Sequence, residues 1–212
     1  MERSVNVVCL DLEGVLIPEM WIEVAERTGV AELRVTTRDI SDYDELMRFR
    51  IDTLGRNAIT IDDILEVTRT VEPLPGAADF LAELRRDFQV VILSDTFVQF
   101  VDTIMTTLRY PFLLCNRLVV DESGSIVDYE LRQRDGKRTA VEAFRSLNLR
   151  VQAVGDSFND ISMLRAADAG YLFRPSQTVV AAHPDLSRAS DHDELLALVR
   201  AGALSSVVQD SV

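Results

Sequence analysis

Val5-Asn6-Val7-Val8-Cys9-Leu10-Asp11-Leu12-Glu13-Gly14-Val15 is the stretch whose reading decides the fold. A short, nearly continuous apolar run stops at two carboxylates and a glycine. Runs without polar alternation belong to strands covered on both faces, as in a parallel sheet. In such sheets ligands bind outside the carboxyl ends of the strands. Residues two apart project to the same side of an extended chain, so Asp11 and Glu13 can share one site. Taken alone, the same letters also describe two surface carboxylates in a loop that turns at Gly14.

Working outward, runs of the same kind recur at Gln89–Leu93, Phe112–Cys115, Val151–Val154 and Gly170–Phe173. Helical patterns over Ala77–Asp87, Phe97–Leu108 and Lys137–Leu147 separate most of them. This alternation predicts an α/β fold with a doubly wound parallel sheet. Between the first strand and Pro73 lie three helix signals and no strand signal. Glu19–Thr28 ends at Gly29, a natural terminating glycine. Ser41-Asp42-Tyr43-Asp44 has the form of a capping box and starts a helix running to Gly55. Thr60-Ile61-Asp62-Asp63 starts another, which reaches about Glu72 before Pro73-Leu74-Pro75-Gly76 stops it. The expected organisation is a core of residues 1–14 and 73–212 with a small helical cap at 15–72 inserted after the first strand. Asp121-Glu122-Ser123-Gly124 divides Leu118–Leu131 as a hairpin. The tail after about Ala203 reads as flexible.

The 212 residues are 47% hydrophobic and 27% charged, the balance of an ordinary globular protein. No apolar run approaches bilayer-spanning length. Met1-Glu2-Arg3-Ser4 lacks the pattern of a signal peptide, so a cytoplasmic location is expected. A net charge of −13 with no basic stripe excludes nucleic acid and anionic membrane as partners. Cys9 and Cys115 lie inside apolar runs and read as reduced, inert thiols.

Three further groups carry chemistry. Ser94-Asp95-Thr96 closes the second strand just before a helix, where a hydroxyl serves as an anion site or simply as an N-cap. Gly155-Asp156-Ser157-Phe158-Asn159-Asp160 closes the fourth, and carboxylates four apart suit a hard divalent cation or a helix cap. Lys137 stands in a basic cluster with Arg132, Arg134 and Arg138, which a solvated helix start explains as well.

In this order the groups resemble the four motifs of the haloacid dehalogenase superfamily, over nearly the full chain. The motifs fall on Asp11-Leu12-Glu13-Gly14-Val15, Ser94, Lys137 and Gly155 through Asp160. The resemblance implies a Rossmannoid core with a small helical cap. Glu19 and Arg50, the latter within Arg48-Phe49-Arg50-Ile51, are similar to cap positions that grip the amino acid in phosphoserine phosphatases, as is Asn116-Arg117-Leu118 entering the hairpin. Asp11 through Leu16, Thr36-Thr37-Arg38-Asp39-Ile40 and Val91 through Phe97 are most similar to the bifunctional phosphoserine phosphatase/homoserine phosphotransferase branch. That branch shares the departures Glu13 for Asp and Asp95-Thr96 for Gly-Gly.

What the resemblance implies is phosphoryl transfer through an aspartyl-phosphate, with Mg²⁺ as cofactor. Asp11 is the expected nucleophile and Glu13 the general acid and base, with Ser94 and Lys137 on the phosphoryl oxygens. Asp11, the Glu13 carbonyl and Asp156 are the expected metal ligands, ordered by Asp160. Glu19, Arg50, Ser94, Asp95, Lys137 and Asn159 are the expected substrate contacts. The expected partners are a small phosphorylated amino acid, foremost O-phosphoserine, then homoserine and a second copy of the chain. Rival readings are a phosphatase of another small phosphometabolite, a dehalogenase, which has no need of Glu13, and a receiver-like phospho-acceptor, which carries no helical cap.

Overall fold

The computed structural model describes residues 6–37, 39–40 and 42–204. Val5, Arg38, Ser41 and the tail from residue 205, which entered the readings above, lie outside the described residues. Seven strands form one sheet in the order β4-β3-β2-β1-β5-β6-β7. They are β1 (Asn6–Leu10), β2 (Gln89–Phe97), β3 (Phe112–Val120), β4 (Ile126–Glu130), β5 (Arg150–Gly155), β6 (Ala169–Phe173) and β7 (Ser187–Ala189). All neighbours are parallel except β3 and β4, the expected hairpin at one edge. The strand carrying Asp11 is therefore central, between β2 and β5.

Side chains of β1 alternate between two cores, as the period of a strand requires. Val8 and Leu10 join Phe80, Leu84, Phe173 and Leu195 on one face. Val7 and Cys9 join Val141, Met163, Leu164 and Val179 on the other. The first core is covered by α4 (Ala77–Asp87) and α9 (His192–Leu204), the second by α6 (Gly136–Ser146), α7 (Ile161–Ala166) and α8 (Gln177–Ala182). This is the doubly wound sheet that the apolar runs predicted. Burial lifts the Cys9 thiol to about 12 and the half-buried Cys115 thiol to about 11, so both are free, protonated thiols.

After β1 come α1 (Met20–Thr28), a 3₁₀ turn at Ala31–Arg34, α2 (Tyr43–Arg56) and α3 (Ile61–Thr68). Gly29 ends α1 at φ 72°, the left-handed conformation expected of it. The cap of α2 is Asp42, whose carboxylate accepts from the Glu45 N–H at 2.9 Å, one residue later than the box anticipated at Ser41. The box at Thr60 and Asp63 is formed as expected. However, α3 stops at Thr68 rather than near Glu72. There the Thr68 and Thr70 hydroxyls donate to the Leu65 and Val67 carbonyls, competing with the helix ladder.

Two more boundaries differ. β2 continues through Ser94-Asp95-Thr96 to Phe97, with a register shift against β3, and is followed by a 3₁₀ turn at Val98–Phe100 and α5 (Asp102–Thr107). The anticipated Phe97–Leu108 helix is thus broken, and neither Ser94 nor Thr96 caps a helix. β3 fuses the expected Phe112–Cys115 strand with the first arm of the hairpin.

His192, at the start of α9, fastens the two ends of the helical insertion. Its ring is buried, stacks on Phe173 at 4.6 Å and lies 5.1 Å from Phe80. Nε2 faces the Val15 carbonyl at 2.9 Å and Nδ1 the Pro75 carbonyl at 3.2 Å. Beside them the Leu74 N–H donates to the Leu16 carbonyl at 2.9 Å. The chain segments leading into and out of the insertion are thereby held side by side. Among the described residues no helix is long and apolar enough to cross a membrane.

Candidate active site

Asp11 stands where β1 leaves the sheet, its N–H still donating to the Val154 carbonyl at 2.9 Å. Its carboxylate accepts from the Leu12 N–H at 2.7 Å and from the Lys137 ammonium at 2.9 Å. Gly14 follows at φ 77°, and a Cβ there would sit 2.5 Å from the Asp156 Cγ, so both the turn and the approach of Asp156 require glycine. Asp160 is fully buried and has both oxygens engaged. Oδ2 accepts from the Asp156 and Ser157 N–H groups at 3.0 and 3.2 Å, and Oδ1 from Lys137 at 2.7 Å. Asp160 therefore orients Lys137 and the Asp156 loop rather than facing the cavity with a free oxygen.

Lys137 is the buried member of its basic cluster; Arg132 and Arg134 are exposed, and the half-buried Arg138 pairs with Asp135 and Glu142. Burial pulls the ammonium down, but Asp11, Asp160 and Asp95 outweigh it and hold Lys137 well above its ordinary value. One ammonium does not balance the carboxylates around it. Burial first, then repulsion from Asp160, raises Asp11 well above the usual carboxylate range despite Lys137. The same two causes push Asp156 up to about 7, with Glu19 adding to them. Asp11, Asp156 and Asp160 bring one oxygen each within 4.8 Å of one another. A crowded set of buried carboxylate oxygens short of positive charge fits a hard divalent cation such as Mg²⁺.

The cavity above this cluster has a volume of about 200 Å³. That lies below the roughly 300–1,000 Å³ of pockets for drug-sized ligands, so it suits a small metabolite. All the expected site residues line it except Asp160, which lies behind. Ser94 Oγ accepts from the Thr96 N–H at 3.2 Å. The Asp95 carboxylate accepts from the Asn159 amide at 3.2 Å and lies 3.5 Å from Lys137. Glu13 accepts from the Met20 N–H, the first free donor of α1, at 3.0 Å. Burial raises the Glu13 carboxyl, against the opposing pull of the Met20 N–H, the nearby Thr96 hydroxyl, Arg50 and Lys137. Glu19 is lifted to about 7 by burial and by Glu13.

Arg50 projects from α2 into the same cavity. It is 6% exposed, and its guanidinium lies 4.6 Å from the centre of the Trp21 ring. It donates to the Val35 carbonyl at 2.9 Å and contacts Met47 Sδ at 3.9 Å, while Nε has no partner. Among the described residues it forms no ion pair. Burial draws it down to about 10. Trp21 and Tyr43 also line the cavity and were not assigned to the site from sequence. Tyr43 had a signal: on α2, Tyr43, Leu46, Met47, Arg50 and Leu54 recur at helical spacing, so Arg50 interrupts an inward-facing stripe.

Residues 5–168 match the haloacid dehalogenase-like hydrolase family. The chain belongs to that family. It is 50% identical over 194 residues to a phosphoserine phosphatase of Pseudomonas syringae pv. tomato, covering 92% of this chain and 82% of that one. It is 48% identical over 190 residues to the phosphoserine phosphatase ThrH of Pseudomonas aeruginosa, covering 90% and 93%. The fold is that of a phosphoserine phosphatase solved as a phospho-aspartyl intermediate analogue, with a TM-score of 0.76 and 23% identity over 92% of this chain and 99% of the other. As a member of this family the chain is an enzyme of Mg²⁺-dependent phosphoryl transfer, and the carboxylate cluster supplies the oxygen ligands such chemistry needs.

Proposed function

We propose that the chain hydrolyses O-phosphoserine and passes the phosphoryl group to homoserine when that alcohol is present. The observation that carries this reading is Arg50, a buried guanidinium without a carboxylate, in the same cavity as the Asp11–Lys137 pair. A planar fork of donors with an idle Nε suits an α-carboxylate. Glu19, lifted to about 7 by burial and by Glu13, suits the neighbouring ammonium, whose charge would favour its carboxylate form. The two close relatives named as phosphoserine phosphatases support the same substrate.

In this reading Asp11 attacks phosphorus and becomes an aspartyl-phosphate, dividing one hard displacement into two easier ones. Glu13 gives its proton to the departing serine oxygen and then takes one from the incoming water or alcohol. Ser94 and Lys137 hold non-bridging oxygens, and Asp95 and Asn159 close the rim beside them. Asp11, the Glu13 carbonyl and Asp156 would hold Mg²⁺, with Asp160 ordering them. The ion would supply charge neutralisation for the phosphoryl oxygens. Residues 15–72 act as the cap, limiting access of bulk water. A homodimer belongs to the same reading and is tested by sedimentation.

The function is tested by incubating enzyme, Mg²⁺ and O-phosphoserine with rising homoserine and following phosphorus NMR. Inorganic phosphate without homoserine and O-phosphohomoserine with it are expected, because positioning can give a bound alcohol a large effective concentration. Inorganic phosphate alone at every homoserine level removes the transferase half. Turnover of other phosphometabolites but not O-phosphoserine removes the substrate.

A further inference from the structure

Thr96 is 4% exposed and lines the cavity, yet among the described residues its hydroxyl makes no hydrogen bond of sound geometry. A buried hydroxyl without a partner is unfavourable to a fold, so it calls for one that arrives with the ligand. Its setting is fixed. The Thr96 N–H donates to Ser94 Oγ, and the Asp95 carbonyl accepts from the Tyr43 hydroxyl at 3.0 Å and from the Asn116 amide at 3.1 Å. The next residue, Phe97, is anchored in the core 5.4 Å from Phe100. Thr96 follows Ser94 across the register shift between Leu93 and Phe97, and both line the same cavity as Glu13. It falls outside hydrogen-bonding geometry to Glu13 but close enough to favour the carboxylate form.

We propose that the Thr96 hydroxyl donates a hydrogen bond to the ester oxygen of the substrate, the atom that leaves phosphorus and whose place an incoming hydroxyl later takes. The assignment rests on the roles given above to Asp11 and Glu13. As an Asp11 oxygen bonds to phosphorus, the ester P–O bond breaks and its electron pair stays on the departing oxygen. The proton of Glu13 moves to that oxygen. Thr96 donates to another of its lone pairs and keeps its own proton. In the second half the pieces reverse: Glu13 removes the proton of water or alcohol while Thr96 orients the attacking oxygen.

Thr96→Val replaces the hydroxyl with a methyl at nearly constant shape, and Thr96→Ser keeps the hydroxyl. The test is kcat/KM with Mg²⁺ for phenyl phosphates graded in leaving-group basicity, and for O-phosphoserine. Thr96→Val is expected to lose roughly 10- to 100-fold with basic leaving groups but under about threefold with p-nitrophenyl phosphate, whose phenolate leaves unaided. Thr96→Ser is expected within about threefold of wild type throughout. The Tm of Thr96→Val should be unchanged or higher, because the protein loses no hydrogen bond of its own. A loss uniform across the series, or a lower Tm with no rescue by serine, overturns the proposal. Should wild type show no preference for O-phosphoserine, the substrate reading fails while the phenyl series still decides Thr96.

Discussion

Arg50 and Asp156 show how single side chains are left incomplete by the protein itself. Arg50→Ala should cost about 2–5 kcal/mol in kcat/KM for O-phosphoserine, the usual loss when one side of a buried charged hydrogen bond is truncated. p-Nitrophenyl phosphate carries no carboxylate and should be nearly unaffected; equal losses on both would assign Arg50 to the packing of α2 on Trp21. Asp156 lends itself to a pH experiment. Its pKa rises from an ordinary 3.8 to about 7 in the folded protein, chiefly through burial and Asp160. Below pH 3.8 both folded and unfolded chains hold the proton, and above about 7 neither does. Between these limits the folded state binds the extra proton, so stability falls as pH rises. In EDTA, wild type should therefore lose on the order of a few kcal/mol relative to Asp156→Asn between pH 4 and 7, read from urea midpoints. Saturating Mg²⁺ should abolish or reverse the difference, since an ion bound by the folded state stabilises it. Midpoints that run parallel in EDTA would mean the carboxylates are not crowded.

Among the elements, the hairpin of β3 and β4 reaches over to hold the helical insertion. The Tyr129 hydroxyl donates to Asp44 at 2.6 Å, and the Gly124 carbonyl accepts from the Ile61 N–H at 2.9 Å, satisfying a free donor at the start of α3. The ring of Tyr43 meets that of Tyr129 edge-on at 5.8 Å. Tyr129→Phe should therefore speed hydrogen exchange at the start of α2 and raise KM a few-fold with little change in Tm; unchanged exchange there would free the hairpin of this role. Such contacts join residues 85 apart in sequence and leave no local mark. Sequence was legible where the signal was local: the apolar runs, Gly29 at the end of α1 and the Thr60 box. It failed where tertiary pairing decided the matter. The Ser94-Asp95-Thr96 segment carries residues that favour caps, yet pairing with β3 on either side of it, at Leu93 and Phe97, and the hold of Tyr43 and Asn116 on the Asp95 carbonyl keep it extended.

At the scale of the whole molecule, the site was more legible than the frame around it. Asp11, Lys137, Asp156 and Asp160 were legible only together, through their order along the chain and the family motifs it resembles, since each alone is explained as well by a loop, a cap or a solvated helix start. β7, α8 and α9 went unread, since a three-residue strand and a six-residue helix carry too little periodicity to register. Yet α9 brings His192 to the carbonyls of Val15 and Pro75. That contact gives the molecule an order of manufacture. Asp11 leaves the ribosome long before its neighbours, for its strand lies between partners made more than 75 and 135 residues later, at Gln89 and Arg150. The clasp on the insertion comes later still, at residue 192. At about 5–20 residues per second, the nucleophile waits roughly ten seconds or more for the rest of its own enzyme. Chains stalled before His192 has left the exit tunnel should bind O-phosphoserine poorly and turn over little, and those tethered by a C-terminal extension long enough to bring Leu204 out of the tunnel should be fully active. The newborn chain thus carries its reactive carboxylate through most of synthesis without the means to use it.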